Sequence, residues 1–503
     1  MAATSPLAAQ AGIDLIHAGG SAVDAAIAAM LVATVTEPGV VSPLGGAFVN
    51  IWPADGSPVV VDGNVEMPGR GLPRERFGAG VREIHTTYGG GLTVYAGHGS
   101  VATPGAMAAF GRAHERHGAA PWADLLAPAI SAARDGFPLG AAAASYLALV
   151  HDSIFGWDEQ TRAFHSADEG TPHPAGTTLR SPELADTLAH VARRGWADLY
   201  TGDLAEQIVT DMARRGGLVT SADLSSYVAC ERTALLSTLR GWCVAANPPP
   251  SIGGPVLSAM LLMLARGGGG HSPDDVIRIQ REVLGYRRDH LDLSSDLLET
   301  GRDLIRTVTE QNLAALPTSS STAHVSVVDS DGTACAITAS AGYGSGATVP
   351  GTGLVLNNCL GEPELNRLGL HALAPGTRLA SNMAPTTARH RDGARLAVGS
   401  PGADRITTAL MQVLAAFCLE GADLQSAVDR PRLHVRFLED GSARIEHEDD
   451  DTLREAVQRS GLPAHPHGHR DMFFGGVGAT LRDADGGLSA AGDGRRAAAT
   501  VIG

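Results

Sequence analysis

The 503-residue chain contains no lysine, so all 38 of its basic residues are arginine. A P-loop needs a lysine on its phosphates, a pyridoxal-phosphate enzyme needs a Schiff-base lysine, and a Ser-Lys hydrolase needs a lysine base. All three mechanisms are excluded. Aromatic residues are scarce at 4%, and charged residues, at 18%, fall below the usual ~25%. Acidic residues number 54, for a formal net charge of -16, which argues against nucleic acid or an anionic membrane as a partner. The longest apolar run, residues 25–35, falls well short of the ~20 residues a membrane span requires. No basic and then apolar leader opens the chain, because Asp14 interrupts the first apolar pattern, and a soluble cytoplasmic protein is expected. The five cysteines, Cys230, Cys243, Cys335, Cys359 and Cys418, are odd in number and widely spread, and read as buried free thiols. No G-x-S-x-G elbow and no G-x-G-x-x-G loop between a strand and a helix is present.

Glycine (62 residues) and alanine dominate instead, which implies close backbone packing. Ser5 with Pro6 starts one helix, and Ser21 with Asp24 forms a capping box for a second, which stops before Pro38. Residues 47–51 and 58–62 read as a hairpin. A helix-rich middle from about 104 to 235 includes pieces at 122–134, 182–194 and 203–214. Strands return after Leu239. The turn at 248–254 precedes a helix at 255–265, and residues 272–316 again show helical spacing. Residues 323–329 and 333–340 are two strands around Ser330-Asp331-Gly332, followed by strand-like pieces at 354–358, 395–399, 432–437, 443–446 and 478–481 and a helix at 405–419. Two sheets covered by helices satisfy this order.

The most informative residue is Thr322, where a strand begins directly after the small polar segment 317–321. Cutting the Ser321-Thr322 bond would place a free α-amine, with a pKa near 8, beside the Thr322 hydroxyl, so that one residue supplies nucleophile and base. An ordinary loop before an ordinary strand accounts for the same local residues, since Ser and Thr commonly punctuate elements. His324 lies on the same side of the strand as Thr322 and reads as a packing or hydrogen-bonding group. His465, His467 and His469 fit no standard metal-ligand spacing and are read as having no acidic or Cys partner nearby, so a solvated turn and no metal are expected. Residues 446–451 read as a charged surface turn, and residues 342–346 as a cleft wall in preference to a phosphate cradle.

The run Thr322-Ala323-His324-Val325-Ser326-Val327-Val328-Asp329 resembles the start of the small subunit of gamma-glutamyltransferases, Thr-Thr-His-x-Ser-Val-Val-Asp. Residues 11–26, 202–205, 217–227, 248–254, 349–358 and 399–402 resemble further family segments in the same order, across nearly the whole chain. The resemblance implies an αββα four-layer sandwich of the N-terminal-nucleophile hydrolases, made as a precursor that cuts itself between Ser321 and Thr322 into subunits 1–321 and 322–503. Thr322 would be the nucleophile in self-cleavage and turnover, with Ser340 beside it and the backbone N–H groups at Gly402 and Ala403 as oxyanion donors. No cofactor is implied, and the substrate is a small acyl or amide compound. The substrate clamp departs from the family: Asn64 stands where an arginine holds the γ-glutamyl carboxylate, a bidentate charge that a neutral amide cannot replace. Ser381 and Asn382 take the place of two serines, Gly342 that of an asparagine, Glu362 that of an aspartate, and Cys359 that of a frequent glutamine. The segment from Glu362 to Ser381 is shorter than many family lids. Three readings follow: an acyl hydrolase or acyltransferase with an altered clamp, a carbon–carbon bond hydrolase of natural-product biosynthesis using the same threonine, and a precursor-like binding protein that never matures.

Overall fold

The computed structural model describes the chain apart from residues 87–91, 169, 268–270, 311–321, 439 and 497, and apart from the side chains of Thr86 and Leu92. Its centre is a pair of sheets. The first has seven strands in the order Ala499–Thr500, Ala2–Ala3, Ala323–Val328, Ala334–Ser340, Gly46–Trp52, Val59–Gly63 and Cys230–Thr233. The second has six, in the order Leu488–Gly492, Gly478–Arg482, Arg395–Gly399, Thr386–His390, Trp242–Ala246 and Leu235–Leu239, with every pairing antiparallel. Strands from before and after residue 322 interleave in the first sheet, and in the second the four strands after it lie beside the two before it.

Three apolar clusters mark three interfaces between layers, as a four-layer αββα sandwich requires. Helices Pro6–His17, Ala22–Thr36 and Ala106–His117 cover the outer face of the first sheet, with Ala22–Thr36 over Val325, Val327, Cys335, Ile337 and Ala339, and Trp122–Asp135 packs on Ala22–Thr36 as the next helix out. Helix Ala22–Thr36 is buried at every position, which explains why it is apolar apart from Asp24, Thr34 and Thr36 and shows no polar stripe. Helices Gly253–Arg266 and Arg405–Leu414 cover the second sheet over Val244, Leu396 and Val398, and Pro273–Tyr286 packs on Gly253–Arg266. Between the sheets lie Phe48, Trp52, Val60, Val328, Ala334, Ala336, Ala245 and Ala397. Side chains alternate across a strand, so the even-numbered positions of 323–328 and 334–340 face the other sheet and the odd ones face the helices. Asn50 fastens the two sheets: its Nδ2 donates to the carbonyls of Ala245 at 2.8 Å and Pro385 at 2.9 Å, and its Oδ1 accepts from the Thr387 hydroxyl at 2.9 Å.

The capping box at Ser21 and Asp24, the Ser5 cap and the 46–63 hairpin form where the sequence places them. Four expectations change. Residues 354–358 form no strand, only a bridge from Val355 to Thr348, because Gly351 and Gly353 at φ +73° and +66° fold the segment back on itself. The 272–316 helix is broken at a π turn, Arg287–Leu291, held by the buried Arg287–Asp292 ion pair at 3.0 Å, and residues 311–316 lie outside the described residues. The turn at 446–451 is not all surface: Glu446 and Glu448 are buried, the latter on Arg495 at 2.7 Å. Cys230 and Cys243 are only partly buried, while the other three cysteines are buried and all five are free.

Candidate active site

Thr322 precedes the strand Ala323–Val328, deep in the first sheet, and is 3% exposed. Valines at 325, 327 and 328 suit a buried strand, and the hairpin that returns the chain is tied by Asp329, whose carboxylate accepts from the Thr333 and Ala22 N–H groups. Ala323 pairs with Ala339, so the register carried one residue further sets Thr322 across from Ser340, both on the face toward the second sheet. The Ser340 Oγ accepts from the Gly342 N–H at 3.0 Å. Ser321 lies outside the described residues.

A cleft of about 320 Å³ is lined by Thr322, Ser340, Asn64, Cys359, Glu362, Ser381 and Asn382. Residues far apart in sequence thus meet at one threonine. The Asn64 Nδ2 donates to the Leu379 carbonyl at 2.8 Å. Gly342, at φ +69°, does not line the cleft; a Cβ there would stand 2.2 Å from the Asn358 Oδ1 and 3.1 Å from the Glu362 Oε1, so those two side chains fill the space that a larger residue would need. Burial, reinforced by nearby Glu362, pushes the Cys359 thiol well above its usual range, which leaves it a neutral wall. The Ser381 Oγ accepts from the Met383 N–H at 3.3 Å. Asn382 is buried, and neither its Oδ1 nor its Nδ2 finds a partner among the described residues. An unpaired buried amide costs about 1–3 kcal/mol, and such a group in a cleft is in place to meet a ligand.

Gly402 and Ala403 close the strand Arg395–Gly399 and lead into the helix Arg405–Leu414. They do not line this cleft, but the preceding Pro401 borders a second chamber, of about 630 Å³, that also contains Thr322. Their carbonyls accept from the Arg405 and Ile406 N–H groups, while neither of their own N–H groups has a protein acceptor among the described residues. Ala403 sits at φ +68°, the left-handed region, where an L residue costs roughly 1–2 kcal/mol. The Gly-to-Ala departure therefore keeps the backbone donor at the expense of strain.

The second chamber brings in Glu37, Tyr146, His324, Met472 and Arg496. His324 is structural: its Nδ1 bonds to the Thr338 hydroxyl at 2.8 Å and its Nε2 to the Ser326 hydroxyl at 2.7 Å, and burial pushes its pKa down to about 3. Glu37 and Arg496 were not singled out from the sequence. The only signal for Glu37 was an acid closing a helix whose one other charge is the capping Asp24, and for Arg496 a second arginine after the buried Arg495.

The sequence matches the gamma-glutamyltranspeptidase family model over residues 8–283 and 278–502. It is 30% identical over 481 residues to a glutathione hydrolase proenzyme of Escherichia coli, covering 88% of this chain and 81% of that protein. It is 29% identical over 514 residues to the acylase ACY 1 proenzyme of Pseudomonas sp. strain SE83, covering 97% and 90%. The crystal structure of cephalosporin acylase from Bacillus halodurans superposes with a TM-score of 0.82 at 26% identity, over 99% of this chain and 94% of that one. The chain belongs to the gamma-glutamyltranspeptidase family. It is accordingly an enzyme of the N-terminal-nucleophile hydrolase type.

One arginine comes close to Asn64 without lining the cleft. Arg378 lies under Asn64, donating to its carbonyl and to the Tyr227 hydroxyl, with its guanidinium 4.5 Å from the Tyr227 ring centre. Asp62 at 3.9 Å and Glu66 at 3.6 Å balance its charge. Among the described residues no helix is long and apolar enough to cross a membrane. The expectation that the histidines near 465 lack an acidic neighbour is corrected: parallel pairing sets Glu446 opposite His465, and the Glu446 Oε2 meets the His467 Nε2 at 2.9 Å. Arg444 occupies the other oxygen at 2.5 Å, and the pair lies away from Thr322 in sequence and in sheet. The 342–346 segment is not the cleft wall expected of it: it lines neither chamber at Thr322, and a Cβ at Gly346 would fall 1.9 Å from the Ile154 carbonyl, because the segment is packed against its neighbours instead.

Proposed function

We propose that this enzyme is an autoprocessing threonine hydrolase or acyltransferase for small acyl compounds, cut between Ser321 and Thr322 into subunits 1–321 and 322–503. The observation that carries the reading is the meeting of Thr322, at the head of a central strand, with Ser340 and the unpartnered Asn382 in one cleft. In turnover the freed α-amine of Thr322 takes the hydroxyl proton as Oγ1 attacks the substrate carbonyl. The N–H groups of Gly402 and Ala403 stabilise the oxyanion, Ser340 orients the nucleophile, and water or an amine resolves the ester. Relatives named as proenzymes support the two-subunit product.

The acyl group rests among Asn64, Glu362, Ser381 and Asn382, with Cys359 as a wall and Gly342 behind Glu362. The Asn64 amide is committed to the Leu379 carbonyl and Arg378 to Asp62 and Glu66, so this end of the cleft offers no free guanidinium for a γ-glutamyl carboxylate. Neutral or oxo-bearing acyl groups therefore fit it better than γ-glutamyl. The same observation favours a second reading, cleavage of a carbon–carbon bond beside a carbonyl. Product analysis with γ-glutamyl anilide, simple acyl anilides and 2-oxo compounds separates these, and rapid turnover of γ-glutamyl anilide would contradict the altered clamp. On a denaturing gel, wild type should run as fragments of 321 and 182 residues, with Thr322→Ala a single chain of 503. An intact wild type would support the binding-protein reading instead.

A further inference from the structure

The α-amine that serves Thr322 in turnover is still an amide nitrogen before the chain is cut, so the first self-cleavage needs another proton acceptor. Few titratable groups border Thr322. Cys359 and Glu362 stand on the acyl side, and Glu37, Tyr146, His324 and Arg496 stand in the second chamber. Arg496 is permanently charged. Tyr146 donates its hydroxyl to the Tyr343 carbonyl at 2.8 Å, and both ring nitrogens of His324 are held by hydroxyls. The Cys359 thiol is kept neutral by burial, and Glu362 is packed against Gly342 at the acyl end.

Glu37 differs from all of these. It is partly buried at the end of the helix Ala22–Thr36, and its carboxylate makes no hydrogen bond, and no ion pair within 4.0 Å, with any described residue. Its one strong electrostatic neighbour is Arg496, whose guanidinium donates to the Met472 carbonyl at 3.3 Å and reaches within 3.9 Å of where a Cβ on Gly402 would be. Arg496 is held there by its neighbour Arg495, locked on Glu448 and Asp493.

We propose that Glu37 is the proton acceptor for Thr322 in self-cleavage, with Arg496 stabilising its ionised form; this rests on the reading of Thr322 as the autoprocessing nucleophile. As the Thr322 Oγ1 bonds to the carbonyl carbon of residue 321, its proton passes to the Glu37 carboxylate. Collapse breaks the C–N bond, and the nitrogen takes that proton from Glu37, leaving an ester and a free amine. Water then hydrolyses the ester, releasing the residue-321 carboxylate and restoring the Thr322 hydroxyl. Burial, opposed by Arg496, pushes the Glu37 carboxyl up to about 8, so it is a stronger acceptor than an ordinary carboxylate once ionised. The other groups facing it are Tyr146 from helix Ala141–Val150, the neutral His324 from the nucleophile strand, and Arg496 from the C-terminal segment.

The test follows precursor made by cell-free synthesis at pH 5.5 and shifted to between pH 6 and pH 10, with conversion read by intact mass. The wild-type rate is expected to rise through about pH 8 and then level. Glu37→Gln should slow cleavage by about 100-fold or more and flatten the profile, Glu37→Asp should keep a rise, and formate should restore cleavage to Glu37→Ala. Equal rates and profiles for wild type and Glu37→Gln would overturn the proposal while leaving the Thr322 reading intact. A wild type that cleaves at no pH would overturn the Thr322 reading itself. Thermal unfolding at pH 6 reports whether each variant is folded; should Glu37→Gln unfold, a wild-type rate that does not rise near pH 8 overturns the proposal by itself.

Discussion

Asn382 exposes the cleft's purpose most directly at the scale of single residues. A buried amide with both polar atoms unpartnered lowers stability, and nothing in the packing repays it. Asn382→Leu, with the same branching and number of side-chain heavy atoms, is expected to hold stability or raise it by ~1 kcal/mol in thermal unfolding, and to raise KM for small acyl anilides about tenfold while self-cleavage continues. A loss of stability with KM unchanged would make Asn382 a packing residue instead. The site was partly legible in the sequence at this scale: Asn64, Cys359, Glu362, Ser381 and Asn382 do surround Thr322 and Ser340. Glu37 and Arg496 were not legible, because only the fold brings the end of the second helix and the C-terminal segment to Thr322. The acidic neighbour of the His465 cluster was hidden for the same reason, since Glu446 reaches it by strand pairing and not by sequence spacing.

The decisive element is the strand Ala323–Val328 and what crosses it. Gly399, on the facing sheet, is glycine because a Cβ there would lie 2.2 Å from the Cε1 of His324, whose ring is fixed at both nitrogens and cannot swing away. Its strand partner Gly478 has more room, with the nearest contacts to an added Cβ at 3.4 Å on Ala2 and 3.7 Å on His324. Gly399→Ala should therefore cost ~1–3 kcal/mol in thermal unfolding and slow self-cleavage by displacing the nucleophile strand, whereas Gly478→Ala should change little. Equal effects would mean that the sheet spacing does not depend on His324. Elements with strong local signals were readable: caps at Ser5 and Ser21, the Asp329–Gly332 turn, and alternation in 334–340. The strands Thr386–His390 and Leu488–Gly492 were missed because, beyond Thr386 and Thr387, their Ala, Ser, Gly, Arg and His residues carry little strand preference, and pairing with neighbours defines them.

Two antiparallel sheets between helical layers place a great deal of ionisable chemistry out of water in the whole molecule. His324 resists protonation down to about pH 3 and Glu446, paired with His467 and Arg444, stays ionised down to about 2, although burial alone would raise it. Arg432 and Arg495 likewise hold Asp493 below the usual carboxylate range against its burial. Each of these groups binds fewer protons folded than unfolded in acid, so each makes stability fall as pH drops. Glu37 has the opposite sign, but below pH ~4.5 it is protonated in both states and drops out. The unfolding midpoint should therefore fall steeply between pH 4.5 and 3, and a flat midpoint across that window would contradict the buried neutral histidine and the ion pairs. The four-layer architecture was legible from the order of elements together with the family resemblance, whereas the interleaving of strands from both sides of residue 322 was not, because sheet order is set by long-range pairing. That interleaving predicts that the fragments stay together after cleavage, so the decisive reading is covalent. N-terminal sequencing of the purified, folded protein should yield a second sequence beginning Thr-Ala-His-Val from Thr322, absent in Thr322→Ala; a single intact chain, or a cut at another bond, would contradict the account.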